Sequence, residues 1–235
     1  MNEMIRSYLD RAGMTEEEYD ERRRPWKAEY DRLETIASDA LSHLPDTSAA
    51  LKAAEARREA CAGGDLHRGF YCPSMIQDIV ISGINRGKLC DPADKAAAFT
   101  YSFDAQNRLI GVHTGDTMEY IRWEGNISTG AIFDSHGVSA VCECKYDEQG
   151  RILRYSFLLH GSCCIHEVYT YEDGAMAADL IGYHDSSALL TEDRWRFTVE
   201  DGMLKDCIAE ICSGADLRST PVEDRTVPVK IVRRI

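Results

Sequence analysis

The heptapeptide FDAQNRL, at Phe103–Leu109, returns later in the chain as YDEQGRI, at Tyr146–Ile152. Both copies place an aromatic residue first, an aspartate second, an asparagine or glycine fifth, an arginine sixth and an aliphatic residue last. Aspartate favours the first position of a type I turn because its carboxylate accepts nearby backbone N–H groups. Asparagine and glycine most easily adopt the left-handed conformation that follows such a turn. The repeated phrase therefore predicts a β-hairpin turn with the ends of its two strands.

Looser copies of the phrase continue through the second half of the chain. The left-handed position of the turn then falls at Asn107, Gly125, Gly150, Gly174 and Gly202. The interval between one of these turn residues and the next accommodates two strands and a return loop. The series predicts five hairpins in a meander of about ten antiparallel strands, and short repeats of this kind share one core.

The copy KYDEQGRIL, at Lys145–Leu153, resembles the YD repeat of Rhs and related bacterial wrapping proteins, whose units read roughly Tyr-x-Tyr-Asp-x-x-Gly-Arg-Leu. The copy at Tyr101–Ile110 resembles this pattern less closely, and in all the resemblance covers under half of the chain. It implies the strand–turn–strand unit and kinship with those proteins, which coil many repeats around a cargo. Encapsulation is not carried over, because five repeats enclose little. The whole arrangement also resembles bacterial proteins of unassigned activity.

The N-terminal residues carry helix signals instead of strand signals. Thr15 is followed three residues later by Glu18, the spacing of a capping box at the start of a helix. Pro25 predicts either a bend in this helix or the start of a second one. Apolar residues then recur at steps of three, four or seven, which gathers them on one helical stripe. They are Tyr19, Trp26, Tyr30, Leu33, Ala37, Ala40, Leu41 and Leu44.

Two further helices complete the N-terminal region. A short one is expected over residues 2–12, ended by Gly13, and another over residues 48–61, ended by Gly63. From Phe99 the apolar period changes to two, which is typical of strands.

We therefore expect an α+β fold with N-terminal helices packed on the long antiparallel meander, because an open sheet must cover one face. Residues 1–62 are predicted as helices and residues 63–98 as a connector with a short helix near 74–85. Residues 99–213 form the repeat sheet, and the tail, 214–235, has room for one further strand. All four segments are expected to form a single folding unit.

Composition and charge narrow the classes of function. The net charge is −13, and the small basic clusters argue against a nucleic-acid partner, which needs grouped Lys and Arg. The first residues are charged where an export signal needs an apolar stretch, and no apolar run is long enough to cross a bilayer. The nine cysteines are an odd number and match no secreted scaffold, so we expect reduced thiols in a cytoplasmic protein.

The best candidates for a metal site are Cys142, Cys144, Cys163 and His166. Alternation along a strand puts Cys142 and Cys144 on one face, and zinc accepts such ligands. However, the Cβ atoms of consecutive residues on the same face of a strand lie about 7 Å apart, whereas the turn of a zinc knuckle points both of its sulfur atoms at one ion. Buried free cysteine also behaves as a small hydrophobic residue. No metal, cofactor or catalytic residue is therefore predicted.

No nucleophile elbow or phosphate-binding glycine loop occurs in the sequence. The expectation is a non-enzymatic protein-interaction module whose acidic surface captures a basic partner, as an immunity protein does. The alternative is a metal-binding protein or enzyme with a Cys/His site in residues 136–184, and a third reading is a structural remnant of a longer wrapping system.

Overall fold

The computed structural model describes residues 3–55, 57–63, 74, 76, 88–200, 203–211 and 229–234, the last two ranges by their backbone. The helices are α1 (Glu3–Ala12), α2 (Glu16–Ser42) and α3 (Leu44–Ala54). The strands are β1 (Arg57–Ala62), β2 (Lys88–Cys90), β3 (Ala97–Phe103), β4 (Leu109–Thr114), β5 (Thr117–Glu124), β6 (Ile127–Asp134), β7 (Gly137–Tyr146), β8 (Ile152–Leu159), β9 (Cys163–Glu172), β10 (Ala175–His184), β11 (Leu189–Glu200), β12 (Met203–Ile211) and β13 (Val229–Arg234). Antiparallel strands with a few helices make the fold α+β.

The chain divides into two compact units. The central unit is Glu34–His160, and the terminal unit joins Met1–Leu33 to Gly161–Ile235. In the central unit the strand order is β2-β1-β3-β4-β5-β6-β7-β8, with antiparallel neighbours. In the terminal unit the order is β9-β10-β11-β12-β13, also antiparallel. None of the helices in the described part of the chain is long and apolar enough to span a bilayer.

The turns of the repeated phrase have the predicted backbone conformation. The φ angles are 63° at Asn107, 59° at Gly125, 79° at Gly150 and 71° at Gly174, all in the left-handed region. Gly202 lies outside the described residues. The left-handed conformation is thus confirmed at every one of the predicted positions that the structure describes.

The aspartate of the phrase binds both the turn and the arginine that follows it. Asp104 Oδ1 accepts the backbone N–H groups of Gln106 and Arg108, each at 2.9 Å. Its Oδ2 accepts Arg108 Nε at 2.8 Å. The second copy repeats all three bonds, and there Asp147 Oδ2 accepts Arg151 Nε at 2.6 Å. This Asp–Arg clasp explains the arginine of the phrase, which the turn conformation alone does not require.

The helix predictions hold for α1 and for the start of α2. Thr15 N donates to Glu18 Oε2 at 2.8 Å, and Glu18 N donates to Thr15 Oγ1 at 3.2 Å, which is the predicted capping box. Pro25 lies inside one continuous helix, so no second helix begins there.

The predicted helix over residues 48–61 is wrong in its second half. α3 begins earlier, at Leu44, with a proline in its first turn, and ends at Ala54 because Glu55 is extended. Residues 57–62 form β1, which pairs with β2 and β3 and buries Ala60 and Cys61 completely. The sequence of β1, RREACA, contains good helix formers, so strand pairing here overrides local propensity.

Two described strands begin within residues 63–98, which the sequence predicts as a connector. They are β2, at Lys88–Cys90, and β3, which begins at Ala97, two residues before the expected start of the sheet region. The tail contributes β13, the further strand for which it has room. The predicted short helix near residues 74–85 lies outside the described residues apart from Ser74 and Ile76.

Each unit has its own hydrophobic core. In the terminal unit, Ile5, Leu9 and Tyr19 of the helices pack with Ile181 and Leu190 of the strands. In the central unit the core cluster consists of Cys61, Tyr101, Phe103 and Val112.

Candidate functional site

In the central unit, α3 and the sheet line two open cavities, and the C-terminal end of α2 also lines the larger one. Leu51 and Lys52 lie three and four residues after Ser48, and the C-cap residue Glu55 lies four and three residues after them, so all four share one face at the end of α3. This face lies over β3, β4 and β5, because residues of all three strands line a cavity with it.

The strand register fixes which side chains meet α3. One row across β1, β3, β4 and β5 consists of Arg58, Ser102, Gly111 and Tyr120. The next row consists of Ala60, Thr100, His113 and Met118. Because directly opposed residues of neighbouring strands project to the same face, each row lines up beneath the helix.

Leu51 and Tyr120 line both cavities, so they form the wall between them. A Cβ atom at Gly111 would lie 3.0 Å from both terminal carbons of Leu51, which is closer than ordinary packing allows. Glycine at this position therefore lets α3 approach β4 closely.

The larger cavity has a volume of about 430 Å³ and a mostly apolar lining. Its polar groups come from Asp39, His43, Arg122 and Thr129. His43 Nδ1 lies 2.7 Å from the backbone oxygen of Asp39, and Arg122 Nε lies 3.3 Å from Glu124 Oε1. The apolar lining residues are Ile36, Ala40, Ala50, Leu51, Ala54, Ile110, Ile121, Gly130, Ala131 and Phe133, together with the ring of Tyr120. Cavities of this size and polarity are typical of binding sites.

The smaller cavity has a volume of about 270 Å³, and its lining is also mostly apolar, with a slightly larger polar share. Its lining includes the nitrogen-bearing residues Lys52, Arg58 and His113 and the hydroxyl-bearing residues Ser48, Thr100 and Ser102. Among the described residues of its lining, Glu55 supplies the only carboxylate, which accepts Arg58 Nη2 at 2.9 Å.

The structure places the predicted cysteines of β7 among buried groups of the central unit. Cys142 is buried, and its Sγ donates to Glu119 Oε1 at 3.4 Å. A Cβ atom at Gly130 would lie 2.7 Å from Cys142 Sγ and 2.8 Å from Glu119 Oε1, so glycine makes room for this pair. Burial, and then the nearby Glu119 carboxylate, raises the pKa of Cys142 well above its ordinary value. Cys142 is therefore a protonated thiol of low reactivity.

The other two candidates, Cys163 and His166, lie on β9 in the terminal unit. His166 is buried, and its ring centroid lies 5.2 Å from that of Trp26. Its Nε2 lies 3.2 Å from the sulfur of Cys164, two residues earlier on β9. Such a contact is compatible with ordinary core packing and does not require a metal ion. Burial raises the pKa of Cys164 to about 12. Throughout the described ranges, no group of three or more His, Cys, Asp or Glu side chains is placed to hold a metal ion.

Sequence reasoning missed every residue of the smaller cavity. The expected helix over residues 48–61 puts Lys52 and Arg58 in one element, whereas the structure puts them on a helix and a strand. Thr100 and Ser102 alternate along β3, which was a usable signal for a shared face. His113 joins them only through the register of β3 with β4.

Comparison of the chain with protein-family models, with curated proteins and with solved structures finds no match.

Proposed function

We propose that this chain is a non-enzymatic protein-interaction module that captures a basic partner, in the manner of an immunity protein. The larger cavity carries the proposal, because its volume of about 430 Å³ and its mostly apolar lining suit a large apolar side chain of a partner. Interfaces commonly draw most of their binding energy from a few such anchor side chains in fitted pockets.

The charge of the chain supports a basic partner. A net charge of −13 attracts a cationic protein over long range and accelerates encounter. Asp39 adds an exposed carboxylate beside the larger cavity itself. The apolar anchor then provides affinity and the acidic surface provides attraction.

The architecture that we propose for this module is a series of five hairpins covered by the helices, folding as a single unit. The Asp–Arg clasp in both close copies of the phrase supports a common strand–turn–strand unit and the kinship with YD-repeat proteins. Contacts of Ile5, Leu9 and Tyr19 with strand residues support the helical cover. We also propose a reducing, cytoplasmic environment, which is supported by the free thiols of the six cysteines whose side chains the structure describes.

A randomised peptide library displayed on phage tests the interaction with two matched variants of α3. Ala50 and Ala53 are both exposed, and Ala50 lines the larger cavity whereas Ala53 is in the described lining of neither cavity. The variant Ala50→Phe therefore obstructs the larger cavity, while Ala53→Phe adds the same ring elsewhere on α3. Peptides selected on the unaltered chain should contain a large apolar residue flanked by Lys or Arg.

Binding of the selected peptides should be lost with Ala50→Phe, be retained with Ala53→Phe and weaken as salt is added. Selected peptides that lack basic residues would overturn the assignment of a basic partner. Equal binding to both variants would overturn the role of the larger cavity.

A further inference from the structure

We infer that the smaller cavity of the central unit is a binding site for a small phosphoryl oxyanion, either free phosphate or a phosphate monoester. This site lies on the opposite side of Leu51 from the larger cavity and is independent of the proposed protein interaction.

The first observation is an uncompensated cation. Lys52 is exposed and lines the smaller cavity. Among the described residues, no carboxylate lies within ion-pair distance of its ammonium group. Arg58 adds a second positive charge, which Glu55 holds in place through two hydrogen bonds. With the Glu55 carboxylate counted against Lys52 and Arg58, the described lining keeps one positive charge, in a chain whose net charge is −13.

The second observation is a set of hydroxyl groups without protein partners. Ser48, Thr100 and Ser102 all line the cavity, and Ser102 is only 7% exposed. Within the part of the chain that the structure describes, none of the three hydroxyls makes a hydrogen bond. Because these hydroxyls line the cavity and are not engaged by other described groups, they are available to donate to a ligand that enters it.

The chemistry of these groups selects the ligand. Hydroxyl and ammonium groups donate hydrogen bonds, and a phosphoryl group offers several acceptor oxygens around one centre. The donors come from two directions, since Ser48 and Lys52 belong to α3 while Thr100 and Ser102 belong to β3. A tetrahedral oxyanion can accept from both sides at once. His113 adds an imidazole on the neighbouring strand.

Calorimetric titration of the full chain at constant ionic strength tests the site, with inorganic phosphate, glycerol phosphate and acetate as probes. Lys52→Gln removes the cation of the cavity, and Lys145→Gln removes an exposed cation that does not line it. Thr100→Val removes one hydroxyl while keeping the size and branching of the side chain. All three variants should melt close to the unaltered chain, which separates loss of binding from loss of fold.

Phosphate should bind saturably to the unaltered chain and to Lys145→Gln. The affinity should fall at least about tenfold for Lys52→Gln and measurably for Thr100→Val. Tighter binding of glycerol phosphate would identify an ester as the ligand, and equal binding would identify the free anion. The inference is overturned by the absence of saturable binding, by equal affinity of Lys52→Gln, or by acetate binding as tightly as phosphate.

Discussion

Asn107 and Gly150 occupy the same turn position, but only Asn107 has a side chain that makes a further contact. Gly150 has φ of 79°, and a Cβ atom there would meet nothing within 4 Å, so only the backbone conformation restricts this position. Asn107 has φ of 63°, and its Oδ1 also accepts Arg57 Nη2 at 2.5 Å. The structure therefore adds a hydrogen bond to the role that the sequence assigned to Asn107.

Substitution of the left-handed positions tests the turn directly. Gly150→Val should lower the free energy of unfolding by at least about 1 kcal/mol, because a β-branched residue is strained at this φ. Asn107→Gly should change it by no more than about 0.5 kcal/mol, because it relieves the backbone but loses an exposed hydrogen bond. Chemical denaturation of both variants gives the two values. Equal, negligible effects would contradict the left-handed turn.

The Asp–Arg clasp predicts a dependence of stability on pH. Partial burial raises the pKa of Asp104, but hydrogen bonds from the backbone and side chain of Arg108 outweigh that effect and lower the pKa overall. The pKa of an aspartate in an unfolded chain is about 3.9. The contribution of Asp104 to the stability of the fold is therefore complete above that pH, and it is lost as the pH falls through the lower pKa of the folded state.

Asp104→Asn should therefore lower the free energy of unfolding by about 1 kcal/mol at pH 7, with a smaller difference from the unaltered chain as the pH falls below about 4. Asp116→Asn is the control, because Asp116 is an exposed aspartate in a different turn. Denaturant titrations at a series of pH values supply the comparison. A difference that grows on acidification would contradict the clasp.

Asp193 shows the opposite electrostatic situation. In the described part of the chain its buried Oδ1 has no hydrogen-bond partner, and burial raises its pKa. The register places Leu180 and Ile211 on either side of it, and neither residue type offers a hydrogen-bonding side chain. The charged form of Asp193 is therefore destabilised in the folded protein at neutral pH.

Asp193→Val should raise the free energy of unfolding at pH 7 by about 1 kcal/mol, because an unsatisfied carboxylate is replaced by a good strand former. The gain should shrink as the pH falls and the carboxyl group becomes protonated, since a raised folded pKa means that protonation favours the folded state. Thermal melts at pH 7 and at acidic pH give the comparison. A destabilised variant at pH 7 would show that Asp193 has a structural partner.

At the scale of elements, one hydroxyl group ties α2 to the connection between β10 and β11. The Tyr19 hydroxyl donates to the Ala188 oxygen at 3.1 Å and accepts the Leu190 N–H at 3.0 Å. Ala188 itself has φ of 53°, an unfavourable conformation for an alanine. The hydroxyl therefore holds a strained turn from both sides.

Tyr19→Phe should lower the free energy of unfolding by about 1 to 3 kcal/mol, because it leaves a buried N–H group unsatisfied. Tyr120→Phe is the matched control, since the ring contact of Tyr120 with Phe133 survives that change. Ala188→Gly in the Tyr19→Phe background should recover part of the loss by relieving the strain. Denaturant titration gives all three values, and a Tyr19→Phe variant as stable as the control would show that the hydroxyl does not support the turn.

The sequence predicted those elements whose signals are local. The capping box of Thr15 and Glu18, and the left-handed turn residues, are set by neighbours in the chain, so pattern alone identifies them. β1 could not be predicted this way, because its helix-forming residues become a strand only through pairing with the distant β3. The smaller cavity escaped prediction for the same reason, since Lys52, Thr100 and His113 meet only through α3 placement and strand register.

At the scale of the whole molecule, the N-terminal residues contribute to the core of each unit. In the terminal unit, Ile5, Leu9 and Tyr19 are buried against Ile181 and Leu190. In the central unit, Cys61 of β1 is fully buried beside Tyr101 and Phe103. Isolated helices are marginal in water, so these elements and the strands that they contact stabilise one another.

A chain that begins at Gly64 should therefore be insoluble or molten. It lacks α1, α2, α3 and β1, and each large buried side chain removed is worth roughly 1.5 to 3 kcal/mol, a large share of a typical stability of about 5 to 15 kcal/mol. Trp26, which packs against the terminal core, offers a milder test, because Trp26→Ala in the full chain should lower the midpoint of a single cooperative unfolding transition. Near-ultraviolet circular dichroism and thermal melts distinguish a packed fragment from a molten one. A soluble fragment 64–235 with a sharp melt would show that the strands fold without the helices, and the exposed helices would then become the first elements to examine for partner binding.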